Sequence, residues 1–241
     1  MPALEGDPRC TIVIPFYNEG PNVATLLNEV RGVMREVPIA YEILAINDGS
    51  TDDTKAELYS VMSTWRCLRV IDLQKNSGQA AALWTGFKQA RGGVIVTMDG
   101  DGQNDPADIP RILEAVEHGA DMVAGIRATR RDSLLRKLMS RLANAVRNLV
   151  LHDGIRDSGC ALKGFRREVC GSFIPIRTLY SFMPALAKAA GYRIEQLPVN
   201  HRERTAGRSK YGLGVMLWRP VLDMLGIWWF SSRRFQGGAA R

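Results

Sequence analysis

Five short runs rich in apolar and β-branched residues recur through the first half of the chain, at Thr11–Phe16, Glu42–Ile46, Leu68–Leu73, Val94–Met98 and Met122–Gly125. Segments of helical length and amphipathic spacing lie between them, over 22–37, 52–64, 78–91 and 106–118. That alternation argues an α/β fold: a mostly parallel central sheet with helices on both faces. Ser50-Thr51-Asp52 supplies a cap for the second helix, and Pro106 suits the first turn of the fourth. After Arg127 the rhythm changes to a long helical pattern from Asp132 to Leu151, a loop at Asp153–Gly159, more helix to Ala190 and a strand at Arg193–Val199. A polar, basic loop, His201–Gly214, precedes an apolar, Trp-rich stretch, Val215–Phe230, that Pro220 is expected to break.

Charge divides at the same place. Residues 1–126 carry 10 Lys+Arg against 18 Asp+Glu, whereas 127–241 carry 22 against 7, consistent with the overall charge of +7. A basic half can face nucleic acid, anionic lipid or a phosphorylated substrate. The four cysteines, Cys10, Cys67, Cys160 and Cys170, form no CxxC pair, so neither a zinc site nor a disulfide framework is expected. The N-terminus lacks a basic region followed by an apolar core, which predicts no secretory signal and a cytoplasmic protein. The longest apolar tract, Val221–Phe230, contains Asp223 and falls short of the roughly 20 residues needed to span a bilayer.

The residues that carry chemistry sit where strands end. Asp99-Gly-Asp101-Gly-Gln103 follows Val94–Met98, at the strand end where open α/β sheets bind ligands. If the chain stays extended there, the two carboxylates point the same way and can share a divalent cation; a solvated acidic turn fits the spacing equally well. Ile14-Pro15-Phe16-Tyr17-Asn18-Glu19 and Ile46-Asn47-Asp48-Gly49-Ser50 end the first two strands in the same manner. Neither contains GxGxxG, and the chain has no GxxxxGK[ST], so the two common nucleotide-phosphate loops are missing.

Taken together, PFYNE, INDGSTDDT, Asn76-Ser77-Gly78-Gln79 and DGDGQNDP occur in an order and spacing that resemble family 2 glycosyltransferases of the GT-A fold. Within them the chain looks like the polyprenyl-phosphate glycosyltransferases, over residues 11–212. The resemblance implies that Pro15, Tyr17, Glu19, Asp48, Asn76, Gly78 and Asp99 bind a nucleotide-diphosphate sugar, UDP- or GDP-linked. It also implies that Asp99 and Asp101, supported by Gln103, hold Mg2+ or Mn2+. Many relatives read DADLQDPP where this chain reads DGDGQNDP, so two glycines replace bulkier residues while the ligating positions are kept. Leu135–Asn144 matches the RKxxSRxAN helix of that subgroup, and Arg136, Ser140 and Asn144 recur every four residues on one polar stripe. By resemblance, Arg136 and Ser140, with Arg204 and Lys210 of an RxxGxSK loop, take the acceptor phosphate. Asp157 falls near the sugar in relatives, though a loop-capping aspartate is an equal reading from sequence.

The implied reaction is a single inverting displacement in which a lipid phosphate oxygen attacks the anomeric carbon. Asp101, Asp157, Arg127 and Arg204 are the candidate catalytic residues. Two alternatives stand beside it: a family 2 transferase using a hydroxyl acceptor, with Asp157 as base, and a basic nucleic-acid or lipid-binding module without catalysis. The second leaves the acidic half unexplained, so nucleic acid is not expected as a partner. The expected organisation is a catalytic domain over 1–212, divided at 126 into donor and acceptor halves, and a tail over 213–241 that meets a membrane surface, a membrane-spanning partner subunit or the protein's own core. The protein is then peripheral on the cytoplasmic face of a membrane.

Overall fold

A computed structural model describes residues 7–127, 144–203 and 213–233, with 213–220 described by backbone alone. Residues 132–143 of the helix expected from Asp132 to Leu151, and with them Arg136 and Ser140, lie outside the described residues, as do Arg204 and Lys210.

The described strands are β1 (Cys10–Phe16), β2 (Tyr41–Asn47), β3 (Leu68–Asp72), β4 (Val94–Thr97), β5 (Met122–Arg127), β6 (Lys163–Arg166) and β7 (Ile194–Val199). They form one sheet in the order β3-β2-β1-β4-β6-β5-β7. Helices α1 (Gly20–Arg35), α2 (Thr54–Thr64), α3 (Gln79–Gln89) and α4 (Ile109–Glu117) follow β1 to β4 in turn. Strand order grows outward from β1 to β3, then returns to place β4 on the other side of β1. A crevice therefore opens at the C-terminal ends of β1 and β4, the topological switch point of a doubly wound sheet.

Alternation along the strands feeds two cores. Ile12, Ile14 and Phe16 of β1 pack with Val23, Leu27 and Val30 of α1 and with α4 on one face. Val13, Leu44 and Ile95 pack on the other with α3, α6 (Leu179–Ala189) and α7 (Leu213–Arg233). Strands covered on both faces need apolar residues at nearly every position, and β1 and β2 have them.

Two expectations are corrected. The stretch expected to be helical up to Ala190 contains β6, which runs antiparallel between β4 and β5 before a 3-10 helix at Arg167–Ser172 and then α6. Lys163-Gly-Phe-Arg shows no strand-like alternation, but Gly164 fits where a Cβ would lie 2.2 Å from Ile112 Cγ2. Nor does Pro220 break the C-terminal segment, since α7 continues through it. Its second half is anchored independently: Met224 and Ile227 are buried, and Thr178 Oγ1 donates to Asp223 Oδ2 at 2.5 Å. That anchoring works against the roughly 3 kcal/mol penalty of an interior proline.

At the opposite edge from the crevice, Glu42 ties three strands. Its Oε1 accepts from Thr11 Oγ1 (2.9 Å) and Arg91 N (2.8 Å), and its Oε2 from Arg69 Nη1 (2.7 Å). Burial, with the charge of Glu42 adding to it, pushes the Cys10 thiol up to about 12, so this cysteine stays a neutral core residue. Glu42→Ala leaves buried donors unsatisfied and is expected to cost about 2 kcal/mol in urea unfolding, with the slope unchanged.

Candidate active site

The loops leaving β1, β2 and β3 are locked by their own polar groups. Asn18, in the left-handed region at φ 51°, accepts from Thr51 N (2.8 Å), and its own N–H donates to Ser50 Oγ (3.0 Å). Thr54 Oγ1 accepts from Glu19 N at 2.8 Å, and Asp52 accepts from Gly20 N and Thr54 N, joining the starts of α1 and α2. Glu19 is buried and accepts from Asn22 Nδ2 at 2.7 Å.

Asp48, also buried, joins the second loop to the third. Its two oxygens accept from Ser77 N (2.7 Å) and Gly78 N (2.9 Å), just ahead of α3. Burial raises its pKa, and these backbone donors work against that rise. Gly49, at φ 64°, is required there because a Cβ would lie 2.4 Å from the Lys75 carbonyl carbon. Pro15 and Tyr17 are half-buried at the crevice, Gly78 borders it, and Asn76 is exposed.

The strand before the acidic motif stops at Thr97, and the chain turns at Gly100 and Asp101 instead of staying extended. Gly100 presses on β1: an added Cβ would sit 2.6 Å from Phe16 Cδ1 and 2.7 Å from the Pro15 carbonyl oxygen. Gly102 occupies φ 75°, where L side chains are strained. These are the two glycines that distinguish the motif, and together they make a tight turn. Asp99 accepts from Gln79 Nε2 at 2.5 Å, and Asp101 accepts from Gln103 N at 3.1 Å. Among the described residues no three His, Cys, Asp or Glu side chains form a metal cluster. The turn carries two carboxylates, Asp99 and Asp101, and the Gln103 amide, whose oxygens are all hard donors. This suits a Mg2+- or Mn2+-sized ion whose remaining positions are filled by substrate phosphates.

The segment after β7 is stitched onto this turn. Asn104 bridges His201, Arg202 N donates to Gln103 O at 2.8 Å, and the Arg202 guanidinium reaches Glu29 at 2.6 Å and Asp105 at 2.8 Å. Asn200 N donates to Asp108 at 2.6 Å. The basic RxxGxSK segment thus starts two residues beyond a root fixed to the acidic turn. Arg202 is not among the residues that the sequence motifs point to.

Across β6, Arg127 ends β5 in a fork with Asp157, Nε to Oδ2 and Nη2 to Oδ1, both 2.7 Å. Its backbone N–H also donates to Asp157 Oδ2 at 3.2 Å. Gly159 lets the guanidinium approach, since a Cβ there would lie 2.9 Å from Arg127 Nη2. Asn144, the last residue of the polar stripe, begins the described part of α5 (144–151) and donates to Arg156 O at 3.1 Å. Arg147 of the same helix is buried, donates to Ile155 O at 2.5 Å and pairs with Asp153. Nothing in the local sequence separates this buried arginine from the solvated ones around it.

The glycosyl transferase family 2 model matches residues 11–173. Undecaprenyl-phosphate 4-deoxy-4-formamido-L-arabinose transferase of Yersinia pestis (strain Pestoides F) is 35% identical over 207 residues, 85% of this chain and 63% of that protein. The protein of the same name from Serratia proteamaculans (strain 568) is 33% identical over 88% of this chain and 66% of its own. The chain therefore spans just under two thirds of the length of these relatives. Among solved structures, glucosyl-3-phosphoglycerate synthase from Mycobacterium tuberculosis, in complex with Mn2+, UDP and phosphoglyceric acid, superposes with a TM-score of 0.72 at 19% identity, covering 92% of this chain and 78% of that one. A mannosyltransferase from Pyrobaculum calidifontis, in complex with GDP-Man and Mn2+, gives 0.68 at 20% identity over 95% and 66%. Both share the fold described above.

The packing of Gly100 on Phe16 gives a direct check on the turn. Gly100→Ala is expected to cost about 1–3 kcal/mol of stability through overpacking, read as a lowered thermal midpoint.

Proposed function

We propose that this chain, which belongs to glycosyltransferase family 2, transfers a sugar from a UDP- or GDP-linked donor to a polyprenyl phosphate. One observation carries the choice of acceptor: both oxygens of Asp157 are held by Arg127. A hydroxyl acceptor needs a base to take its proton, and the acidic group at this end of β5 is committed to an ion pair. A phosphate acceptor is already anionic near neutral pH and needs no strong base. The names of the Yersinia and Serratia relatives support the same acceptor class.

In this reading Pro15, Tyr17, Glu19, Asp48, Asn76 and Gly78 shape the nucleotide end of the crevice. Asp99, Asp101 and Gln103 hold Mg2+ or Mn2+, which when bound offsets charge growing on the leaving diphosphate. Arg127, oriented by Asp157, faces the acceptor half, where Arg136, Ser140, Arg204 and Lys210 complete the phosphate grip. The acceptor oxygen forms its bond to the anomeric carbon as the bond to the diphosphate breaks, so the configuration inverts. Asp101→Asn is expected to lower transfer of labelled sugar into the organic phase by about a hundredfold or more while the thermal midpoint holds. Full activity in excess chelator would reject the metal assignment.

The acceptor is a lipid, and among the described residues no helix is long and apolar enough to cross a membrane. The tail supports a surface role instead. On α7, Leu222 is 67% exposed and Trp229 56%, beside exposed Leu225, Trp228 and Phe230, and the Arg233 guanidinium lies 5.5 Å from the Trp229 ring centroid. Such a face suits an anionic headgroup layer on the cytoplasmic side of a membrane. Replacing Leu222, Leu225 and Trp229 together by Ser is expected to weaken flotation with anionic liposomes more than about tenfold. Unchanged flotation would reject the interfacial role, and no flotation by the wild-type protein would favour a membrane-spanning partner subunit.

A further inference from the structure

The segment that leaves β7 joins the two ends of the site. Val199, the last residue of β7, pairs with Arg127 at the end of β5, and two residues beyond it His201 forms an antiparallel bridge with Asn104 of the acidic turn. Asn104 is buried, and its Oδ1 accepts from Asp99 N at 3.0 Å, so the turn is closed on itself where this segment meets it. Arg202 then holds the turn from outside. Its N–H donates to Gln103 O at 2.8 Å, and its carbonyl accepts from Gln103 Nε2 at 3.4 Å, an arrangement that engages the amide nitrogen and offers the amide oxygen to a cation. Its guanidinium spans from Asp105 Oδ1 (2.8 Å) to Glu29 Oε2 of α1 (2.6 Å). A planar fork suits this, since it holds two carboxylates in fixed directions. The Arg202 side chain is 41% exposed, and ion pairs so open to solvent add little to folding stability.

We propose that Arg202 is a positioning residue for the metal site. It ties the Gln103–Asp105 side of the acidic turn to α1 and to the strand paired with the end of β5, so that Asp101 and Gln103 are in place before the donor diphosphate and its cation arrive. The proposal rests on the donor-site reading above and gives an exposed arginine, outside every motif, a part in the reaction without substrate contact.

Charge and positioning have opposite signs here. A fixed positive charge beside a cation site repels the cation, so its removal strengthens metal binding, whereas removal of a clamp weakens it. The test is calorimetric titration of UDP and of GDP into the wild-type protein and Arg202→Met, each with and without Mn2+. Without metal, nucleotide affinity is expected to hold, because Tyr17 and Asp48 lie on the loops after β1 and β2. The gain in affinity that Mn2+ brings is expected to fall about tenfold in the variant, with the thermal midpoint lowered by no more than a few degrees. An unchanged or larger gain overturns the proposal. So does a variant that loses its fold, or one that loses affinity equally with and without metal, since either makes Arg202 a structural residue only. A wild-type protein that bound nucleotide with no gain from Mn2+ would reject the metal assignment, and one that bound neither UDP nor GDP would reject the donor-site reading; Arg202 would lose its role in both cases.

Discussion

The contact between the turn after β4 and the end of β1 is the one on which the site's geometry depends. Parallel pairing of Cys10–Val13 with Val94–Thr97 fixes the register, and Gly100 then rests directly on Pro15 and Phe16. A crevice at a switch point can be any width, because neighbouring strands diverge in their connections. Here the absence of a single Cβ sets how close the acidic turn comes to the Pro15–Glu19 segment. Asp99 and Asp101 inherit their positions from that approach, and the root of the basic loop inherits its own from Gln103, Asn104 and Asp105.

The lopsided charge of the chain has a structural meaning once partners are assigned. Part of the acid in the first half is internal mortar: Glu42 and Asp48 each accept from two or more groups on other segments, and Asp52 accepts from Gly20 N across the α1 and α2 starts. The basic half keeps Arg127 and Arg147 by pairing each with an aspartate in the 153–157 loop. Fixed cations beside fixed carboxylates suit phosphate chemistry, since the positive groups are oriented before the anion arrives.

The strands other than β6, their order of appearance and the polar residues at their ends were legible because they are local: apolar runs, caps and turns declare themselves within a few residues. The acidic motif and the polar loops after β1 and β2 were legible for the same reason. The Arg127–Asp157 fork was not, because its members lie 30 positions apart and only the insertion of β6 brings them together. β6 was hidden by its composition, a lysine and a glycine in four residues, the glycine answering to Ile112 packed against it. Pro220 misled because propensity describes an isolated helix, whereas α7 is held by Thr178, Met224 and Ile227.

The antiparallel strand has one more consequence. Because β6 lies between β4 and β5, the strand that ends in the acidic turn and the strand that ends in Arg127 are never neighbours. They are held two strand widths apart, about 10 Å, by a spacer that no loop movement can compress. A donor's diphosphate and an acceptor's phosphate seated on those two strand ends would be kept from colliding by the sheet itself, with room for a sugar ring between them. In this fold the spacing of the two strand ends is a property of hydrogen-bonded backbone, and side chains are left to decide only what stands at either end.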